Sequence, residues 1–345
     1  MTPREIVQRT LRFQHPPRLP RTLWISPWAG LHHPEHVAAL RRRWPDDVVG
    51  APDVYRRSPR VRGDRYAVGS STDAWGCVFE NLQAGIHGEV RTPICPDISR
   101  WRETVLPPYE VLPDDPVAAT ALVDAFCRGS DRFVLAGCCP RPWERYQFLR
   151  GTEAALIDLA EDSADSRDLL AAITAYDRCE IDFWCGTAVD GVFFMDDWGS
   201  QRDLLVSPRL WRRVFKPIYA DYVARIHAAG KAAFLHSDGN ILAILPDLVE
   251  IGVDALNSQL GCMDLTEVAR IARGRLAFWG EIDRQQVLPG DPAGGRAEVQ
   301  RIAHHLCDPA GGCFVMFEYG PGARPETVDA VLAAWEEVQA AARST

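Results

Sequence analysis

The residues with the most chemistry in the smallest space are His236-Ser-Asp238-Gly-Asn240, which directly follow the apolar run Ala232-Ala-Phe-Leu235. A short hydrophobic strand ending in His-x-Asp-Gly sets an imidazole beside a carboxylate, and the glycine then lets the chain turn away. Such a pair suits acid/base work or cation ligation, the latter needing at least a third ligand. Glu318 and Glu281, each just beyond another apolar run, are the candidates for it. Asp196-Asp197-Trp198-Gly-Ser-Gln201 follows the run Gly191-Val-Phe-Phe-Met195. Neighbouring carboxylates there point to opposite sides of the backbone, so at most one of Asp196 and Asp197 is expected to face a site, as an acid/base or positioning group; the competing reading is capping, with Ser200 or an aspartate at a helix N-terminus. Trp198 and Gln201 add a stacking surface and an amide. Asn257 and Gln259 end a further run as neutral amides suited to substrate, while Glu281 and Asp283 end the next. Trp24 and Trp28 are placed to wall a pocket, although core packing is the commoner fate of a tryptophan.

These groups need a scaffold that gathers strand ends. Strands are expected at Leu23–Ser26, Asp47–Gly50, Phe133–Ala136, Gly191–Met195, Ala232–Leu235, Ala255–Asn257, Leu276–Trp279 and Cys313–Phe317. Between them run amphipathic helices, expected at Thr152–Glu161, Ser166–Ala188, Pro208–Ala229, Ile241–Ile251, Asp264–Ala272 and Ala297–Leu306. Eight continuously apolar strands alternating with helices predict a (β/α)8 barrel, whose chemistry collects at the carboxyl ends of its strands. A doubly wound sheet is the runner-up, but no glycine-rich nucleotide turn follows the first strand. Thr2 and Pro3 open an amphipathic N-terminal helix carrying Ile6, Val7, Leu11 and Phe13. Residues 51–115 break the repeat and carry Tyr55, Tyr66, Trp75, Phe79, Trp101 and Tyr109; they read as a lid-like insertion between strands 2 and 3 of one barrel domain spanning 1–345.

Composition narrows the class. The chain has 345 residues, 47% of them hydrophobic, and a formal charge of −9, which excludes a phosphate-neutralising surface for nucleic acid. No apolar run is long enough to span a bilayer, and neither a Walker loop nor a paired CxxC motif occurs. Ten scattered cysteines, with Met1 leading straight into Thr2-Pro-Arg-Glu5, point to a reduced, cytoplasmic protein without a signal peptide.

The strand ends, in this order, resemble those of the uroporphyrinogen decarboxylase family. The likeness runs through the leader Met1–Phe13, Thr72-Asp-Ala-Trp-Gly-Cys-Val-Phe79, Asp196–Gln201, Leu235-His-Ser-Asp-Gly-Asn-Ile241, Glu250–Asn257 and Phe278-Trp-Gly-Glu-Ile-Asp283. It implies a barrel with its site at the strands' carboxyl ends and a homodimeric assembly. True uroporphyrinogen decarboxylases carry an arginine-rich turn after the first strand that binds the porphyrinogen's acidic side chains. Here Ser26-Pro-Trp-Ala-Gly-Leu-His-His33 stands in its place, so a tetrapyrrole substrate is not expected. The family's other branch exchanges methyl groups with a corrinoid protein, and its coenzyme M-dependent members bind zinc through His-x-Cys and a later Cys. The matching positions are His236-x-Asp238 and the neighbourhood of Glu318 and Tyr319, oxygen donors in place of thiolates. That exchange makes zinc more Lewis-acidic and less suited to activating a thiol.

The leading expectation is therefore a zinc-dependent methyltransferase or demethylase of a small methylated compound, with His236, Asp238 and Glu318 as metal ligands and a separate protein carrying the corrinoid. Asp196, Asp197, His236 and Asp238 would be catalytic; Trp28, Trp198, Gln201, Asn257, Gln259, Glu281 and Tyr319 would contact substrate. The alternative is a metal-free, cofactor-free decarboxylase of a small aromatic or heteroaromatic acid, held by His32, His33, Arg141 or Arg145 and protonated by His236 or Asp238. A second alternative is a barrel that binds a small ligand without turning it over.

Overall fold

The computed structural model describes residues 1–343. In chain order its strands are β1 Trp24–Ile25, β2 Val48–Gly50, β3 Gly69–Thr72, β4 Val78–Asn81, β5 Glu89–Val90, β6 Phe133–Leu135, β7 Gly191–Met195, β8 Ala232–Ser237, β9 Ala255–Ser258, β10 Ala277–Phe278 and β11 Glu318–Tyr319. A parallel sheet runs β2-β6-β7-β8-β9-β10, and β1 pairs in parallel with β11. Parallel bridges Phe278–Cys313 and Arg21–Val315 join the two pieces, and Asp47 N donates to Arg21 O at 2.8 Å to close the ring. The architecture is thus a (β/α)8 barrel. Its eighth stave is split: within residues 312–319, Phe314 and Phe317 bond the β10 side and Val315 bonds Pro20, so regular pairing appears only at β11.

The inner face follows the two-residue period of each strand. Val48, Phe133, Leu135, Phe234, Ala255, Ala277, Trp279 and Phe314 form the packed interior, with Trp24 and Phe193 against it. Burying each large side chain contributes about 1.5–3 kcal/mol. The helix Pro3–Leu11 plugs the base with Val7. Its capping box is complete: Glu5 N donates to Thr2 Oγ1 at 3.2 Å, and Thr2 N to Glu5 Oε2 at 2.8 Å.

Proline explains where the helices depart from the apolar periodicity. The helix expected over Pro208–Ala229 is two, Pro208–Val214 and Lys216–Ala228, because Pro217 has no N–H to return to the preceding turn. The one expected from Ile241 begins at Leu245, just ahead of Pro246. Conversely, a helix spans Pro292–Leu306, five residues earlier than its apolar stripe suggests, since Asp291 accepts from Gly294 N at 2.8 Å and outweighs the Gly294-Gly295 pair. No helix among the described residues is long and apolar enough to cross a membrane.

Residues 51–115 contain a three-stranded antiparallel sheet, β3-β4-β5. It is tied to segments that leave the carboxyl ends of β1 and β6. Trp28 N donates to Gly85 O at 3.0 Å, Arg145 pairs with Asp73 at 2.5 Å, and Cys95 N donates to Leu149 O at 2.9 Å. The insertion therefore lies against the mouth of the barrel.

Candidate functional site

Strand register decides which side chains converge. Phe234 points inward on β8, so His236 does too, and Asn257 follows Ala255 inward on the neighbouring β9. Asn257 Oδ1 lies 2.7 Å from His236 Nδ1, which leaves Nε2 as the group presented to the mouth. Nε2 is 3.5 Å from Asp197 Oδ1 and 3.5 Å from Asp238 Oδ1. One ligand atom from each of Asp197, His236 and Asp238 lies within 4.8 Å of the others. Trp24 stacks on the imidazole with ring centroids 5.6 Å apart and planes 22° from parallel, and Trp279 packs edge-on behind it.

The two loops that carry the carboxylates are locked together by their backbones. Gly199 N donates to Asp238 O at 3.0 Å, Asn240 N to Ser200 O at 2.8 Å, and Asp238 N to Asp197 Oδ1 at 2.9 Å. Gly239 has φ of +78°, and a Cβ there would lie 2.0 Å from Gly199 O. Both glycines are required by that contact.

Charge is densely arranged around the cluster. Burial would lower the His236 pKa, but hydrogen bonds and charges from Asp197 and Asp238 outweigh it and raise it to about 9. Asp197 answers in the opposite direction: burial favours its neutral form, yet the bond to His236 holds it below the ordinary carboxylate value. Arg284 bonds Asp238 Oδ2, Glu281 Oε2 at 3.0 Å and Glu318 Oε2 at 3.4 Å. Burial, followed by the adjoining Glu318, keeps the Glu281 pKa well above the usual range. Glu318 is thus not the third partner of His236 and Asp238. The guanidinium of Arg284 takes it, and Asp197, inward-facing two residues after Met195 by the period of β7, fills that place.

Other expected contacts are corrected by packing. Asp196 is fully buried on the outer side of the barrel, where it accepts from Trp143 N and Glu144 N at 2.8 Å each and from Tyr219 Oη at 2.6 Å. It caps the helix Pro142–Arg150 and is not available as an acid or base. Trp198 is buried against Trp143, 5.2 Å away, and Phe215, with its indole N–H on Tyr219 Oη, so it offers no surface to substrate. Tyr319 is buried and bonds His36 Nδ1 at 3.0 Å, away from the cluster. Trp28 is held between His32 and Gly85 under the insertion. Gln201 donates to Gln259 Oε1 at 3.0 Å, which also accepts Gly239 N. Both amides line a small cleft of about 40 Å³ with Glu281 and Arg284. Asn257 acts on His236 and Glu281 on Arg284.

Two participants escaped the sequence reading. Arg284 sits three residues past Glu281 in the non-helical loop that follows β10, close enough in the chain for its guanidinium to fold back onto the carboxylate. Glu144 lies between Arg141, 3.9 Å away, and the cluster, and one of its carboxylate oxygens is buried without a hydrogen-bond partner. Burial, offset in part by Arg141, raises its pKa to about 7.

Comparison with known proteins agrees with this architecture. The family model described as uroporphyrinogen decarboxylase (URO-D) matches residues 113–338. A solved methyltransferase from Methanosarcina mazei superposes with a TM-score of 0.67 at 16% identity, covering 98% of this chain and 99% of its own. No curated protein matches. A match over more than half of the sequence, on a closed barrel with its polar strand ends gathered at one mouth, makes this chain a member of the uroporphyrinogen decarboxylase family.

Proposed function

We propose that this protein is an enzyme of the family's methyl-transfer branch, with a divalent cation held by Asp197, His236 and Asp238. The observation that carries the reading is Asp238 Oδ1: it is buried, has no hydrogen-bond partner, and faces His236 Nε2 across 3.5 Å. A bare carboxylate oxygen in that position is costly unless a cation meets it. The imidazole is prepared in the same sense, since Asn257 engages Nδ1 and leaves Nε2 to coordinate. One nitrogen and two oxygens suit zinc with an open position, where it would act as a Lewis acid on the oxygen or nitrogen bearing a methyl group. Asn257 orients the imidazole, Trp24 excludes water from its face, and Arg284 fixes Asp238 by its other oxygen. The methyl acceptor is a corrinoid on a separate protein. Metal content measured on protein purified without chelator tests the site: near-stoichiometric zinc, lost in both His236→Ala and Asp238→Ala, is expected. Absence of zinc from the wild-type protein, or no methyl transfer to a corrinoid protein, refutes it.

A second reading is supported by the charge state of His236. An imidazole with a pKa of about 9 is protonated at neutral pH and stands ready as a proton donor, as a metal-free decarboxylase of a small acid would need. Release of CO₂ from an aromatic acid by metal-depleted protein would select it.

A further inference from the structure

A cavity of about 410 Å³ opens between the insertion and the segment leaving β6. It adjoins the His236 cluster without including it. Met195 N donates to Pro140 O at 2.9 Å and Asp196 N to His236 O at 3.1 Å, so the ends of β6, β7 and β8 are consecutive staves. The cavity wall at Cys139 and Arg141 therefore stands two strand spacings, about 10 Å, from the imidazole.

The cavity gathers five arginines, of which Arg56 is paired with Asp114 and Arg145 with Asp73, while the other three are weakly paired or unpaired with acids. Arg57 and Arg65 come from the insertion and have no carboxylate partner among the described residues. Arg141 reaches only its neighbour Cys139, at 3.5 Å to the carbonyl and 3.4 Å to the sulfur, and Glu144 at 3.9 Å. His87 sits among them; burial first, then the charges of Arg65 and Arg141, hold its pKa below the ordinary value. The acids of the same cavity do not answer these charges. Asp73 is taken by Arg145 at 2.5 Å, and burial raises Asp177 to about 8 and Glu180 to about 7, so at pH 7 Asp177 is mostly neutral and Glu180 carries about half a charge.

The remaining walls are flat. Trp75 meets Tyr176 edge-to-face with centroids 5.3 Å apart, and Phe79 meets Phe148 in the same manner at 5.2 Å. Converging cations repel one another until an anion bridges them, and a guanidinium pairs best with a planar carboxylate. A volume of this size is that of a small-molecule pocket.

We propose that this cavity anchors the carboxylate of an aromatic acid substrate between Arg65 and Arg141, with the aryl ring against Trp75 and Tyr176 and its far end directed to His236. The proposal rests on the reading above in one respect, that the reacting end lies at His236. Calorimetric titration of the full chain with 4-methoxybenzoate, its neutral amide 4-methoxybenzamide, and inorganic phosphate tests it. The acid is expected to bind saturably and the amide about tenfold more weakly or worse, as loss of a charged hydrogen-bond pair implies. Arg65→Gln and Arg141→Gln should each weaken the acid about tenfold and leave the amide unchanged, with Arg65→Lys recovering part of the loss. Arg65 is exposed, so its replacement leaves the core intact. No saturable binding of the acid, equal affinity for acid and amide, tighter binding of phosphate than of the acid, or wild-type affinity in both glutamine variants overturns the proposal. His236→Ala separates the two readings: it should lose zinc and still bind the acid.

Discussion

The proton on His236 competes with any cation for the same nitrogen, and the size of that competition follows from the pocket. An imidazole raised from 6.5 to about 9 is stabilised as the cation by about 3 kcal/mol. The folded value lies above the unfolded one. In metal-free protein this stabilisation is therefore complete below pH 6.5 and lost as the pH rises through about 9. A cation arriving at pH 7 must displace the proton at a cost of about 3 kcal/mol, on the order of a hundredfold in affinity. Zinc affinity, measured by competition with a chelating indicator after correction for the indicator's own protonation, should rise about tenfold per pH unit from 6 and level off near 9. Urea denaturation of the metal-free protein should lose stability over the same interval. His236→Gln should show neither trend. An affinity that levels off near 6.5, or stability that is flat between 6.5 and 9, would mean that Asp197 and Asp238 do not hold the imidazolium, and the argument for a competent cluster would fail with it.

Asp196→Asn should cost about 2–4 kcal/mol in urea denaturation, because an amide cannot accept all three donors that the carboxylate receives, while zinc content stays at the wild-type level. Arg284→Gln removes the cation between Asp238, Glu281 and Glu318; a loss of about 2 kcal/mol at pH 7 is expected, below the figure for a fully buried pair because the side chain is 30% exposed. Gly239→Ala should cost more than about 2 kcal/mol and abolish zinc uptake together, through strain at φ +78° and the clash with Gly199; a stable, zinc-loaded alanine variant would contradict the close contact.

Continuous apolar runs made the barrel legible. A strand such as Gly191–Met195 is buried on both faces, and its composition shows this without reference to any partner. The eighth stave was located but not its form, since Phe314, Val315 and Phe317 choose between two neighbours and only the closed ring reveals which. At the site, the parity of residues along a strand placed His236 and Asn257 and allowed one of Asp196 and Asp197. It did not say which, because that depends on Met195 being inward in the assembled barrel. Glu318 lies at a strand end as expected, yet an arginine from a different loop decides whom it meets. Trp198 and Tyr319 illustrate the same limit: an aromatic beside polar residues reads as a pocket wall until the helices packed over it, bearing Phe215 and His36, are known. The convergence of Arg65, Arg141 and His87 spans segments too far apart in the chain for spacing to relate them.

The contact between Gly199 and Gly239 has a bearing on traffic through the molecule. Because the loops after β7 and β8 are stitched backbone to backbone, they can move only as one piece, and the distances among Asp197, His236 and Asp238 are insulated from whatever happens above them. Access for a substrate and for a second protein cannot be gained by parting these loops. It has to come from the other rim, where the three-stranded insertion meets the barrel through Trp28, the Asp73–Arg145 ion pair and the packing of Trp75 on Tyr176 and Phe79 on Phe148. The stitched half of the mouth keeps the chemistry in register, and the cavity beneath the insertion is the side left for a substrate to enter.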